Sequence, residues 1–566
     1  MTELHRQLVR TIPERHAPAG GTSLDLRALR NWLAGLPLAS VASTSRQVVE
    51  RLQQMNQQRI AAFERLDALE AIRPVAQQLI DMIEQQAAAA AVPLQSQKAE
   101  LVARVEALHQ ALALGYLEAL YDACAPAGAV PMLKGGRVAL AGLRALQHGA
   151  ERMQRAYAAY RVPAPGAWQL MHGVHRFLAS VKLDERAVDE SPTVALRSPR
   201  LVYQHALLLA LANPYRYSRR ELPAVVALTR ALAAYCDLRD GEVDGLRTID
   251  VLGDREPGHA GGEDERGRQE RLSIDPARLL AYVENRIVAL PPGAHRVVLR
   301  APGGPGVEVD IDVVRRMVVS LADSSARDHA RLPGGQPLDA VIGLHDVHRA
   351  LAGGQDFDSF LQEALGVAVA SHDRPAAWAQ SSADLLRVLP GAARVLDQSP
   401  AGYRLCWDHG ADSDLVRMKV GDAVGLSLPA PSPDQADWMV GVVRWMRIDE
   451  GGRVEAGVEL LARRALPVAV RSLDGGAQGR PLLRGILLES LQPEHGSGYT
   501  SLLTPVLLDR APERLELSVP TDPWAWWIAA GTRQVHGPGV IDRTGSHLHL
   551  ALPPAEAAEQ ETSAAA

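Results

Sequence analysis

The sequence predicts a multidomain α+β protein: a large helical N-terminal region, a mixed middle, and an antiparallel β half divided into two small units. Three observations carry this reading. The chain has 566 residues, too many for one hydrophobic core. Apolar residues recur at helical spacing up to about residue 240, whereas short alternating segments run from Ala392 to Leu552. Clusters of Gly, Pro and Asp separate those short segments, as turns separate strands.

In chain order, the helical region spans 20–240. Gln47 to Gln86 carries Val48, Leu52, Met55, Ile60, Phe63, Leu66, Leu69, Ile72, Leu79, Met82 and Ile83, with Gln, Arg and Glu between them. That is the pattern of a helix buried along one stripe, with Leu52, Phe63, Leu66, Ile72 and Leu79 inside. Pro74 is expected to kink or interrupt it. Further amphipathic segments cover 97–123, 136–160, 165–180, 198–212 and 219–237, and Ser218 with Glu221 has the form of a capping box. No fixed-period repeat is present, so a bundle or irregular stack is expected.

Residues 241–385 read as a mixed α/β connecting region. It holds a strand in 245–252, a polar Gly-rich loop over 257–270, and helices at 275–287 and 312–322. The helices flank a hairpin, Arg296–Leu299 with Val307–Val313. The glycine run of that hairpin lacks the Lys and Ser/Thr of a phosphate loop and reads as a turn. One β unit is expected over 386–470 and a second small all-β unit over 471–552. The second holds Leu482–Leu488, Leu502–Leu508, Leu515–Val519, Trp526–Ala529 and His547–Leu550. The Ala/Glu-rich residues 553–566 read as a disordered tail.

Composition narrows the function classes. Hydrophobic residues make up 47% and charged residues 22%, ordinary for a soluble protein. A net charge of −6 argues against a nucleic-acid partner. No apolar run approaches the roughly 20 residues that span a bilayer, and the N-terminus has no signal-peptide core. Cys124, Cys236 and Cys406 are few and far apart, which fits a cytoplasmic protein without disulfides or a zinc site.

Catalytic and metal signals are weak. His172/His175 and His345/His348 have the spacing to share a metal on one helix face, but no third ligand is indicated, so core or surface histidines are expected. His547 and His549 fall on one face of a strand beside a Gly545-Ser546 turn. Trp524, Trp526 and Trp527 read as packing in the second β unit, with an interface patch as the alternative. No nucleophile elbow, H-E-x-x-H or kinase motif set appears, so the protein is not expected to be an enzyme or to carry a cofactor.

The most informative stretch is Asp397-Gln398-Ser399-Pro400-Ala401-Gly402, which fits D/N-x-S-x-x-G. Three strand-like pieces follow in order: 421–429, Gly441-Val-Val-Arg-Trp445, and Ala456-Gly-Val-Glu-Leu-Leu461. Together they resemble PilZ domains, small β-barrels that bind the bacterial second messenger cyclic di-GMP. The resemblance implies a PilZ-like antiparallel β-barrel, and the period-2 alternation of the segments puts Leu405, Val424, Leu426, Val443 and Val458 inside it. It also implies cyclic di-GMP as ligand. Asp397 would accept from a guanine edge, Ser399 would donate or accept, and Gly402 would give close backbone approach. Arginine would hold phosphate or the guanine O6/N7 edge.

PilZ receptors supply those arginines from an R-x-x-x-R pair upstream of the Asp. Here the stretch before Asp397 holds Arg374, Arg387 and Arg394, with no pair at that spacing. Arg216/Arg220, Arg296/Arg300 and Arg480/Arg484 have the spacing elsewhere. The expected ligand set is therefore Asp397, Ser399, Gly402, Arg394 and Arg404, with Arg387 next. The resemblance implies a bacterial signalling effector, a cyclic di-GMP receptor regulating motility, pili, attachment or exopolysaccharide. A protein partner is expected through the helical region. The alternative is a protein-interaction scaffold whose barrel binds no nucleotide, with Asp397 and Ser399 as ordinary turn residues.

Overall fold

The computed structural model describes residues 3–9, 12–16, 24–88, 96–188, 195–258, 271–322, 330–363, 365–366, 391–408, 418–430, 436–449, 451–474, 481–489, 500–506, 512–521 and 528–553. The chain divides into two compact units, one of Met1–Pro214 with Arg219–Ala326 and one of Tyr215–Ser218 with Arg327–Ala566.

The first unit is built on helices α1 (Glu3–Leu8), α2 (Leu26–Ala34), α3 (Val41–Asn56), α4 (Ala62–Ala88), α5 (Ser96–Cys124), α6 (Gly135–Ala158), α7 (Ala167–Ser180), α8 (Pro199–Leu211) and α9 (Leu222–Leu232). Helix α5 is the spine, packed against α3, α4 and α6. Its Gly115 is required by close approach: a Cβ there would lie 2.9 Å from Asn56 Oδ1 of α3. Asp25 caps α2, accepting from the Arg27 and Ala28 amides at 2.9 Å each. The single helix expected over Gln47–Gln86 is broken at 57–61, and its stripe is buried on two helices, at Leu52 on α3 and at Leu66, Ile72 and Leu79 on α4. Phe63 differs. It is half-buried, with the Arg137 guanidinium 4.6 Å from its ring centroid and Lys134 at 5.5 Å.

Two other expectations concern Pro74 and Ser218. Pro74 lies inside α4 without ending it, because the apolar face on both sides of it is buried and offsets the missing amide. Helix α9 begins at Leu222 with Glu221, and not Ser218, at its N-cap. Glu221 pairs with Arg316. A small sheet, order β1-β3-β2, follows from β1 (Asp237–Asp240), β2 (Arg247–Asp250) and β3 (Arg271–Asp275). Then come α10 (Ala277–Val288), the hairpin β4 (Arg296–Arg300) and β5 (Gly306–Asp310), and α11 (Ile311–Ala322). The Gly-rich stretch 259–270 lies outside the described residues.

The second unit opens with β6 (Leu332–Pro333), β7 (Pro337–Ile342), α12 (Leu344–Leu351) and α13 (Phe357–Glu363). Strands β8 (Gly391–Ser399), β9 (Gly402–Trp407), β10 (Ala423–Ser427), β11 (Met439–Ile448) and β12 (Val454–Ala462) follow. The order β8-β7-β10-β11-β12-β9 returns to β8 through the β8–β9 pairing, giving a closed antiparallel barrel of six strands with β6 added beside β8. Leu405, Val424, Leu426, Val443 and Val458 are all buried. Strand β10 is buried on both faces, because Ala423 packs outward against Leu344 and Val347 of α12. Gly457 lets Trp445 lie across β12: a Cβ there would sit 1.9 Å from the indole nitrogen.

The barrel draws β7 from the stretch read as connecting region, and it releases residues 465–470 to the second sheet. Those residues open β13 (Ala465–Ser472). With it stand β14 (Leu483–Glu489), β15 (Thr500–Thr504), β16 (Arg514–Val519), β17 (Gly531–His536), β18 (Gly539–Arg543) and β19 (Leu548–Ala551), in the order β17-β16-β13-β14-β15-β19-β18. Six of these strands share one apolar interior that includes Val468, Leu487, Leu502, Leu517, Val535 and Leu550. Trp524, Trp526 and Trp527, and the tail beyond Pro553, lie outside the described residues.

Candidate functional site

The β8–β9 hairpin presents the D-x-S-x-x-G residues around a two-residue turn, with Ser399 paired to Gly402 and Asp397 opposite Arg404. The register shifts between Val395 and Asp397, so Leu396 is the extra residue of a bulge that re-aims the Asp397 side chain. Gly402 has φ +155°, and a Cβ on it would lie 2.1 Å from the Val458 carbonyl oxygen. No other residue fits there without moving β12. Ser399 Oγ stands 3.5 Å from the Gly402 carbonyl oxygen, a weak contact that leaves the hydroxyl available.

The Asp397 carboxylate lies between two guanidinium groups. Arg331, one residue before β6, donates to Oδ1, and Arg404 Nη1 stands 3.6 Å from Oδ2. Arg404 also donates to Glu455 at 2.9 Å. Side-chain exposures of 37% for Arg331, 33% for Arg404 and 20% for Asp397 leave all three reachable by a ligand.

Arg331 was not among the expected residues. It stands 66 positions before Asp397, because α12, α13 and residues 364–390 intervene. A signal for it was present: Arg327-Asp-His-Ala-Arg331 has the R-x-x-x-R spacing. Arg327 itself lies outside the described residues, as do Arg374, Arg387 and Arg480. Arg394 is committed elsewhere, donating to Asp408 at 3.1 Å, a carboxylate it shares with Arg453. Arg484 lies over the Phe357 ring of α13, 4.9 Å from its centroid.

His172, His175 and His348 are buried and pack against aromatic rings. His172 shares a 2.8 Å hydrogen bond with Tyr203 and a 3.0 Å bond with the Arg255 carbonyl, and His175 stacks on Tyr203. His348 is buried edge-on to Phe357 and Phe360. His547 and His549 are buried in the second sheet, and burial pushes both down to about 4. Among the described residues no group of three His, Cys, Asp or Glu is placed to hold a metal ion. Among the same residues no helix is long and apolar enough to cross a membrane.

Residues 27–242 match the family model for the N-terminal domain of the cyclic-di-GMP receptor FimW, and residues 380–467 match the model for its middle PilZ domain. The cyclic-di-GMP receptor FimW of Pseudomonas aeruginosa is 24% identical over 541 residues, covering 87% of this chain and 86% of that protein. No solved structure gives a significant match. With the barrel, the D-x-S-x-x-G hairpin and both domain matches in the same order along the chain, this protein belongs to the PilZ-domain family, in the FimW arrangement.

Proposed function

We propose that this protein is a cyclic di-GMP receptor and acts as a signalling effector by binding, without catalysis. The observation that carries the reading is the pairing of Arg331 with Asp397. It joins an R-x-x-x-R arginine, one residue before β6, to the D-x-S-x-x-G turn on the adjoining strand β8. Asp397 offers acceptors for guanine N–H groups, and Arg331 and Arg404 offer forked donors for a phosphodiester or a guanine O6/N7 edge. An incoming phosphate would compete with Asp397 for Arg331, so binding exchanges one ion pair for another. The relative named as a cyclic-di-GMP receptor supports this reading over that of a scaffold without ligand. The helical region remains the proposed contact for a protein partner, and control of motility, pili, attachment or exopolysaccharide the proposed output. Calorimetric titration of the full chain with cyclic di-GMP tests the proposal. Wild type should bind, and Arg331→Ala should weaken binding about 10- to 150-fold, the loss of one hydrogen bond to a charged group. Absence of binding by wild type at high micromolar nucleotide ends it.

A further inference from the structure

The C-terminal sheet repeats the strand order of the first barrel in a different chain order. Reading β18-β19-β15-β14-β13-β16-β17 beside β8-β9-β12-β11-β10-β7-β8 gives every strand a counterpart, with β8 matched at both ends, and every pairing is antiparallel in both. The counterparts of β10–β12 come first along the chain and those of β7–β9 second. This is a circular permutation. In the first barrel the single strand β8 serves both β7 and β9. In the second, β17 lies on β16 and β18 lies on β19, with only Gly537-Pro538 between them. Proline has no amide donor and breaks such a ladder.

The hairpins also match residue by residue. Val395 faces Leu405, the register shifts, and Asp397 faces Arg404. Val540 faces Leu550, the register shifts at the same place, and Asp542 faces His549. Asp397-x-Ser399-x-x-Gly402 thus superposes in sequence on Asp542-x-Thr544-x-x-His547. The chemistry differs at each point. The arginine opposite the carboxylate has become His549, bonded to Ser501 at 2.8 Å. The glycine that gives close backbone approach has become a buried histidine. Thr544 closes its own turn, accepting from the Ser546 amide at 3.2 Å and the His547 amide at 3.0 Å.

The second hairpin docks on the first barrel. Arg444 of β11 donates to Asp542 at 2.6 Å, and Ser546 donates to the buried Asp422 at 2.5 Å. A Cβ on Gly421 would lie 2.9 Å from Thr544. Arg444 also donates to Glu459 at 2.5 Å, and Glu459 is the register partner of Gly402. The series Gly402–Glu459–Arg444–Asp542 therefore runs from one hairpin to the other. We propose that the C-terminal unit is a circularly permuted second barrel whose motif hairpin latches onto the first barrel, binds no nucleotide itself, and tightens when the first hairpin is occupied.

Hydrogen exchange over residues 539–551 of the full chain tests the latch, with Asp542→Asn, Arg444→Gln and Ser546→Ala. Without ligand, Asp542→Asn and Arg444→Gln should each speed exchange about three- to tenfold, since the pair is about one-third exposed. The double variant should add little to either. Unchanged exchange in both single variants and in Ser546→Ala overturns the latch, and neither result needs a ligand. The second arm rests on the receptor reading. Cyclic di-GMP should slow exchange over 539–551 in wild type but not in Asp542→Asn, with stoichiometry unchanged between the two. Binding that survives Asp397→Asn and is lost in Asp542→Asn would overturn the assignment by making the second hairpin the site. If wild type binds no nucleotide, the receptor reading fails while the ligand-free arm still decides the latch.

Discussion

Asp397 and Asp542 occupy the same place on two hairpins of one unit, each preceded by the same break in register. Their partners differ. Asp397 faces Arg404 across its own hairpin and takes Arg331 from an upstream strand. Asp542 faces His549, a neutral ring, and its arginine comes from the other barrel. The same backbone geometry thus serves two electrostatic settings. A bulged hairpin carries the carboxylate in both cases. On the receptor reading proposed above, the residues opposite it decide whether the carboxylate works on a ligand or on a neighbouring strand.

The sharpest way to break the comparison is to give the first hairpin the residue of the second. Gly402→His places a side chain where even a Cβ meets the Val458 carbonyl at 2.1 Å. Overpacking and backbone strain together should cost about 3–5 kcal/mol, read as a lowered unfolding midpoint, and abolish nucleotide binding. A fully stable Gly402→His protein would show that β12 yields easily and that the close approach has no structural weight.

Smaller effects separate the carboxylates. Asp397→Ala should lose about 1.5–3 kcal/mol of nucleotide affinity in calorimetry, whereas Asp542→Ala should stay within about threefold of wild type. Equal losses would erase the functional distinction between the hairpins.

The hairpins should also respond differently to acid. His547 and His549 are held at about 4, below the ordinary 6.5, mainly by burial. The unfolded chain therefore binds more protons than the folded one in this range. The stability from keeping the rings neutral is intact above pH 6.5 and is lost as pH falls towards 4. Burial raises Asp422, which has the opposite sign and offsets part of the loss. Protection of β19 should therefore fall over pH 6.5 to 4 ahead of that of β9, whose hairpin has no histidine, and His549→Gln should reduce the difference. The smallest effect is expected for Ser546→Ala. It removes one bond to Asp422 and should cost about 1 kcal/mol in denaturant unfolding.

Much of the fold was legible in the sequence because its cause is local. Helical spacing placed the stripe through Leu52, Leu66, Ile72 and Leu79, and period-two alternation placed Val424, Leu426 and Val458 inside strands. Phe63 kept the spacing but met Arg137 and Lys134 in place of the core, since periodicity gives a face and not its neighbour. In the site, the hairpin could be read directly, while Arg331 offered only its R-x-x-x-R spacing, because two helices and a long connection separate it from the carboxylate it serves. The second hairpin escaped notice because His547 replaces the glycine that makes the motif recognisable.

By itself the sequence determined the helical region, the alternating strands, the buried free cysteines and the Asp397–Gly402 turn. Each depends on residues within a few positions of one another, through period, propensity and turn chemistry. The tertiary structure alone decided that β7 closes the barrel, that Ala465–Ser472 belongs to the C-terminal sheet, that Arg331 reaches Asp397, and that Arg444 joins Glu459 to Asp542. These contacts cross tens to a hundred residues, and strand order, which no local pattern encodes, sets which distant side chains meet.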